Sequence, residues 1–280
     1  MKVAVTGASG FIGRHVVAAL AARGIAPVTT LRPNASMPPW LSDLEAVRLD
    51  ILKPLADPFT TLGRPDVLLH LAWGGLPNYR SPHHVDQELP AHYRFLRDMV
   101  SGGLGTLLVS GTCLEYGMQS GALAEGLDPH PSNSYAAAKD SLRQQLEQLC
   151  VVRPFHLTWA RLFYLFGEGQ SGASLLSQLR RAVAGGAAGF DMSGGEQLRD
   201  YLPVAHAARH LVSLALAQRS HGAVNVCSGQ PVSVRTMVEQ WIEENGWSIR
   251  LNLGKYPYPD YEPMAFWGDS GKLEQCLEGR

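Results

Sequence analysis

One segment near the start constrains this chain more than any other: KVAVTGASGFIGRHVVAALAARG, residues 2–24. A short apolar run, VAVT, leads through three glycines into a stretch whose apolar residues recur at helical spacing. Gly7, Gly10 and Gly13 stand three residues apart. Glycine permits a tight turn and lets a phosphate approach the backbone. The helix start then offers unpaired N–H groups and the positive end of its dipole. The pattern predicts a strand–turn–helix unit that holds the pyrophosphate of a dinucleotide, with an unliganded glycine-rich connection as the plainer alternative.

The same rhythm continues along the chain. Apolar, β-rich runs recur at 46–49, 67–71, 106–110 and 156–162, with amphipathic stretches such as 84–100 and 135–149 between them. Strands alternating with helices predict an α/β fold of Rossmann type, a doubly wound parallel sheet with helices on both faces. Ligands in such sheets bind beyond the carboxyl ends of the strands, where Asp50, Ala72, Trp73, Thr112, Phe163 and Tyr164 should fall. Two stretches break the alternation: the glycine-rich 167–195, expected to contain a helix over 175–184, and YPYPDYEP at 256–263. They suggest a smaller C-terminal substrate-binding lobe, about 166–199 and 229–280, beside a cofactor domain of 1–165 plus about 200–228. Plain surface loops are the alternative.

Composition narrows the partners. With 280 residues, 45% of them hydrophobic, and a net charge of −1, the chain can bury a core and carries no basic footprint for nucleic acid or a membrane surface. Cys113, Cys150, Cys227 and Cys276 lie far apart with no C-x-x-C, the pattern of reduced thiols. The ten histidines lack paired metal-ligand spacing, so no metal is expected. No apolar run reaches the ~20 residues of a membrane span, and the chain enters its first strand without room for a signal peptide. A cytoplasmic protein is expected.

The second strand, PVTTLRP, ends at Arg32, and no Asp or Glu occurs between Arg23 and Asp43. An acidic residue here would hold a ribose 2′-hydroxyl, whereas an arginine accommodates a 2′-phosphate. NADP(H) is therefore preferred, with NAD(H) possible; a solvated surface arginine is the alternative.

Residues 134–140, SYAAAKD, place one of only five lysines four positions after a tyrosine. The alanines favour a helix, which puts Tyr135 and Lys139 on one face. Chance supplies roughly 0.16 such pairs in a chain of this composition, so the pair gains meaning only from its context.

That context is a set of motifs in a fixed order: TGASGFIG (6–13), SGTCLEYG (110–117) and YAAAK (135–139). With RLDIL (48–52), HLAW (70–73), GEQLRDYLPVAHAA (195–208) and VNVCSG (224–229), they resemble the extended short-chain dehydrogenase/reductase family from end to end. The resemblance implies an NAD(P)-dependent oxidoreductase acting on a nucleotide-linked sugar, and a homodimer through the helices at 84–100 and 135–149. It implies cofactor contacts from Gly7, Ser9, Gly10, Phe11, Ile12 and Gly13, from Arg32, Asp50 and Ile51, and from Leu71, Ala72, Trp73 and Ser110. Thr112, Tyr135 and Lys139 become the catalytic set: Thr112 orients the substrate oxygen, Tyr135 exchanges a proton, and Lys139 also binds the nicotinamide ribose.

A free tyrosine has a pKa of ~10, and an ammonium ~4 Å away would lower it by up to about three units. With Lys139 and a positive nicotinamide beside it, Tyr135 is thus expected to exchange its proton near neutral pH. Trp73, Thr112, Glu115, Tyr164 and Arg199 are candidate substrate contacts, Arg199 by resemblance to the family's diphosphate arginine. Arg199 has an ion pair with Asp200 as its alternative, and Glu115 is weighed equally as a cap of its own turn.

Branches of the family that remove water resemble one another in a Thr-Asp-Glu here; Thr112-Cys113-Leu114 supplies neither carboxylate. Cys113 reads better as a small buried residue than as an acid/base thiol. The reading is a reductase of a nucleotide-linked 4-keto-6-deoxyhexose. A nucleotide-sugar 4-epimerase is the alternative, and a non-catalytic NADP-sensing regulator a second.

Overall fold

The computed structural model describes residues 1–260 and 262–279; Tyr261, within YPYPDYEP, and Arg280, at the end of the expected lobe, lie outside the described residues. The opening apolar run is strand β1 (Val3–Thr6), buried throughout, and the glycine turn delivers the chain into helix α1 (Phe11–Ala21). Next come β2 (Val28–Leu31), β3 (Ala46–Arg48), the short α2 (Pro58–Thr61) and β4 (Val67–His70). A π-helical turn, His84–Glu88, opens α3 (Leu89–Gly102). The middle of the chain forms β5 (Thr106–Thr112), β6 (Gly121–Leu123), α4 (Ser134–Val152), β7 (His156–Leu162) and β8 (Tyr164–Phe166). After α5 (Leu175–Ala184) come β9 (Gly189–Asp191), β10 (Leu198–Pro203), α6 (Val204–Leu216) and β11 (Gly222–Val226). The chain closes with β12 (Pro231–Ser233), α7 (Val234–Glu244), β13 (Arg250–Asn252), β14 (Phe266–Gly268) and α8 (Gly271–Glu278).

Seven strands form one wholly parallel sheet in the order β3-β2-β1-β4-β5-β7-β11. The order reverses between β1 and β4, and such a switch point opens a crevice at the carboxyl edge. Both faces of the sheet are covered, which is why its strands read as continuous apolar runs. On one face Val16 and Leu20 of α1 pack with Leu211 of α6; on the other Phe95 and Leu96 of α3 pack with Leu142 and Leu146 of α4. A third apolar cluster, around Leu176, Leu179, Val238 and Trp241, is separate from both. It joins α5, α7 and the paired strands β9 and β13.

Two elements depart from their predicted limits for physical reasons. β5 runs past residue 110 because Gly111 and Thr112 pair with Arg161 and Leu162 of β7. The stretch at 84–100 begins as a wider turn because Pro90 has no N–H to give the carbonyl of Asp86, four residues back. All four cysteines are unpaired, and among the described residues no helix is long and apolar enough to cross a membrane.

Candidate active site

The glycine turn is shaped by contacts that leave no room for a Cβ. Gly7 has a φ of +74°, and a Cβ there would stand 2.7 Å from the nitrogen of Ala72. At Gly13 a Cβ would meet the carbonyl oxygen of Gly7 at 2.1 Å. Gly10 begins α1 without a side-chain cap, leaving the first-turn N–H groups for an anion. These residues fit the pyrophosphate of a dinucleotide.

A cleft of about 770 Å³ runs from this turn along the carboxyl edge of the sheet. Gly7, Ser9 and Gly10 form its start; Arg32 and Lys53, with Asp50 and Ile51, line the β2–β3 end. Leu71, Ala72 and Trp73 line the β4 end. Phe11, Ile12 and Gly13 stand in the first turn of α1. Arg48 braces the β2 end, its Nη1 donating to the carbonyls of Arg32, Pro33 and Ala35 at 3.3, 2.8 and 2.9 Å.

Asn133 caps α4, its Oδ1 accepting from the nitrogen of Ala136 at 2.9 Å, and so aims the helix start at the end of β5. The backbone N–H of Tyr135 donates to the carbonyl of Tyr79 at 3.0 Å. One turn on, Lys139 Nζ donates to the carbonyl of Ser110 at 2.9 Å and lies 4.0 Å from the Trp73 ring centroid. Thr112, Tyr135 and Lys139 are all buried together at this point.

Burial dominates the electrostatics of these groups. Burial pushes the Tyr135 hydroxyl well above its ordinary value, with Tyr79 and Glu115 adding to the effect and the Thr112 side chain opposing it. Burial brings Lys139 down to about 7, against the pull of Glu115 and Glu88. The lysine nitrogen is 6.0 Å from the Tyr135 ring centroid, and desolvation is the largest influence on the hydroxyl. Tyr135 therefore holds its proton at neutral pH, the state a proton donor needs.

Glu115 caps its own turn, the alternative read for it from the sequence. It is wholly buried, and its carboxylate accepts from Arg161 Nε (2.8 Å), Trp159 Nε1 (3.0 Å) and the nitrogen of Thr112 (2.9 Å). Thr112 and Glu115 form a capping box around the turn after β5. Arg199 pairs with Glu262 at 3.1 Å instead of Asp200 and lies 4.5 Å from the Phe266 ring centroid. Asp200 instead accepts from the nitrogens of Ser228 and Gly229 at 2.7 and 2.9 Å. In this arrangement Arg199 is buried, as is the ring of Cys113, Phe163 and Phe266 side chains that packs with Tyr164. Burial pushes the Cys113 thiol far up, consistent with a packing residue.

Sequence reasoning missed Glu262 and the group His70, His92 and Glu88. Glu88 and His92 line the cleft. Their i, i+4 spacing was the available signal, since it puts a carboxylate and an imidazole on one helical face.

A family model described as "NAD dependent epimerase/dehydratase family" matches residues 3–227. The chain belongs to this family. Membership makes it an NAD(P)-dependent oxidoreductase of the extended short-chain type, as the motifs had suggested. It is 32% identical over 270 residues to a dTDP-6-deoxy-L-talose 4-dehydrogenase (NAD(+)) of Aggregatibacter actinomycetemcomitans, covering 96% of this chain and 99% of that protein. It is 29% identical to a GDP-6-deoxy-D-mannose reductase of Pseudomonas aeruginosa, covering 85% of this chain and 78% of the other. Among solved structures, MoeE5 in complex with UDP-glucuronic acid and NAD superposes with a TM-score of 0.82 at 25% identity, covering 99% and 93% of the two chains.

Proposed function

We propose that this epimerase/dehydratase family member reduces the C4 ketone of a nucleotide-linked 4-keto-6-deoxyhexose, using NADPH in preference to NADH. The observation that carries the reading is Tyr135, buried beside Thr112 and holding its proton, where an acceptor oxygen needs one. The names of the relatives, a talose 4-dehydrogenase and a mannose reductase of deoxysugar nucleotides, support the substrate class.

The nicotinamide, when bound, supplies the hydride. The chain's own residues do the rest. Thr112 donates a hydrogen bond that orients the ketone oxygen, and the Tyr135 hydroxyl gives that oxygen its proton. Lys139, beside Tyr135 on α4, binds the nicotinamide ribose and stabilises the tyrosinate that remains. Gly7, Gly10 and the start of α1 hold the pyrophosphate. Arg32 and Lys53, both cationic and both on the cleft wall, meet the 2′-phosphate, and the segment that follows β2 carries no carboxylate before Asp43. Arg199 serves the substrate diphosphate once it parts from Glu262. The residues around the third apolar cluster form the substrate-binding lobe, and α3 and α4 form a homodimer interface.

Tyr135→Phe tests the assignment: turnover of a panel of nucleotide-linked 4-keto-6-deoxy sugars should fall by about two to four orders of magnitude with cofactor affinity unchanged. An active variant refutes the proton-donor role. Arg32→Ala should weaken NADPH far more than NADH, and equal losses refute the NADP(H) preference. Interconversion of 4-hydroxy sugars without added cofactor would identify an epimerase instead.

A further inference from the structure

From the cleft wall inward runs a line of buried polar groups that the proposed chemistry does not use. Thr6 Oγ1 is 2.9 Å from His70 Nδ1, His70 Nε2 is 2.7 Å from His92 Nδ1, and His92 Nε2 is 2.9 Å from Glu88 Oε2. Thr6 and the three others are almost completely removed from solvent. Glu88 also accepts from the nitrogen of Gly74 at 2.9 Å and bonds His83 Nε2 at 2.8 Å.

The chemistry of the groups gives this line one direction. Hydrogen bonds from His92 and Gly74 overcome the effect of burial and hold Glu88 ionised, at about 2. A carboxylate only accepts, so His92 must carry its proton on Nε2. Burial keeps both histidines neutral at pH 7, with the charge of Lys139 acting the same way. Neutral His92 then accepts at Nδ1, so His70 donates from Nε2 and accepts at its own Nδ1 from the Thr6 hydroxyl. Every member is satisfied only in this sense. Buried networks that are fully satisfied in one arrangement impose that arrangement on the backbone around them.

The points of attachment are informative. Thr6 immediately precedes the glycine turn, His70 ends β4, and Gly74 lines the cleft directly after Trp73. Trp73, between these anchors, stacks on His92 with centroids 4.7 Å apart and donates from Nε1 to His84 Nδ1 at 3.1 Å. The line ends on Thr6 and not on Tyr135 or Lys139, so it is not a proton supply to the reaction.

We infer that Glu88, His92 and His70 are positioning residues for the cofactor: their one-way hydrogen-bond line to Thr6 sets the glycine turn against the 72–74 wall and fixes Trp73 beside Lys139. The inference rests on the cleft being the nicotinamide nucleotide site. Two measurements on the full chain test it. In ¹⁵N-histidine NMR at pH 7, His70 and His92 should both be neutral and protonated on Nε2; a proton on Nδ1 of either overturns the line.

Fluorescence titration with NADPH and NADH then compares Thr6→Val, which removes the hydroxyl at constant shape, with Thr6→Ser, which keeps it. The valine variant should bind about five- to tenfold more weakly, the equivalent of one buried hydrogen bond, and the serine variant within about twofold of the parent. A lowered Tm for Thr6→Val with unchanged cofactor affinity overturns the positioning role and leaves a purely structural network. If the parent chain binds neither nucleotide, the cofactor reading of the cleft fails and the inference falls with it; binding by the parent with no difference between the variants refutes the inference alone.

Discussion

Removing the Glu115 carboxylate should be among the most damaging single changes available to this chain. The side chain of Arg161 is 2% exposed and that of Glu115 is fully enclosed. In Glu115→Ala the guanidinium stays buried with its ion-pair partner gone and the Tyr116 ring 4.5 Å away. Breaking one partner of a buried pair costs about 3–5 kcal/mol. The nitrogens of Thr112 and Trp159 lose their acceptor at the same time, which favours the upper end. Against a total stability of roughly 5–15 kcal/mol this is a large fraction, and at about 2–4 °C per kcal/mol it lowers Tm by about 6–20 °C. The comparison that isolates the cause is Glu115→Leu with Arg161→Met, which removes both charges. Urea unfolding should show the double variant recovering most of the loss, because the stranded charge is gone. A double variant as unstable as the single, or a single loss below about 1 kcal/mol, refutes the reasoning.

Further outcomes follow from the same geometry. Gly13→Ala forces a Cβ to within 2.1 Å of the carbonyl oxygen of Gly7, a backbone atom that cannot swing aside. Cofactor affinity measured by calorimetry should drop about tenfold or more, and an unchanged constant refutes the close-packed turn. Lys139 holds its proton in the folded chain only below about 7, against an ordinary 10.5. The unfolded chain binds more protons between those values, so stability from this group rises with pH from about 7 towards 10 and is lost as pH falls through 7. Thermal melts should show that rise in the parent chain and a flatter profile in Lys139→Met; parallel profiles refute the depressed lysine.

The parts of the molecule legible in the sequence are those encoded locally. HLTWARL at 156–162 is β7 residue for residue, because a buried strand needs only its own apolar run. LLSQLRRAVA at 175–184 is α5, closed at its start by Ser174. Gly7 and Gly13 announced their turn because the backbone contacts there leave no room for a Cβ. What was illegible depends on register between distant segments. Glu115 meets Arg161 only because β5 and β7 align Gly111 with Arg161, and no local pattern encodes that pairing. Arg199 finds Glu262, 63 residues on, in place of its neighbour Asp200, which the Ser228–Gly229 turn claims. The enclosure of Tyr135 and Lys139 was illegible for a related reason: the pair was visible in the sequence, whereas the burial that acts on both groups is a property of the whole fold.

The Glu115 carboxylate is satisfied by the backbone of Thr112 and by two side chains of β7. Thr112 is thereby fastened to the sheet, while the loop that holds Asp260 and Glu262 is tied to the loop after β4 by Arg80 and to β10 by Arg199. The two sets of ties share no residue. Substitutions in the loops can thus be made without dislodging Thr112, the residue proposed to orient the reacting oxygen. Under that proposal, descendants of such a chain would keep the reaction while their preferences drift apart, so that selection acts on the two nearly independently.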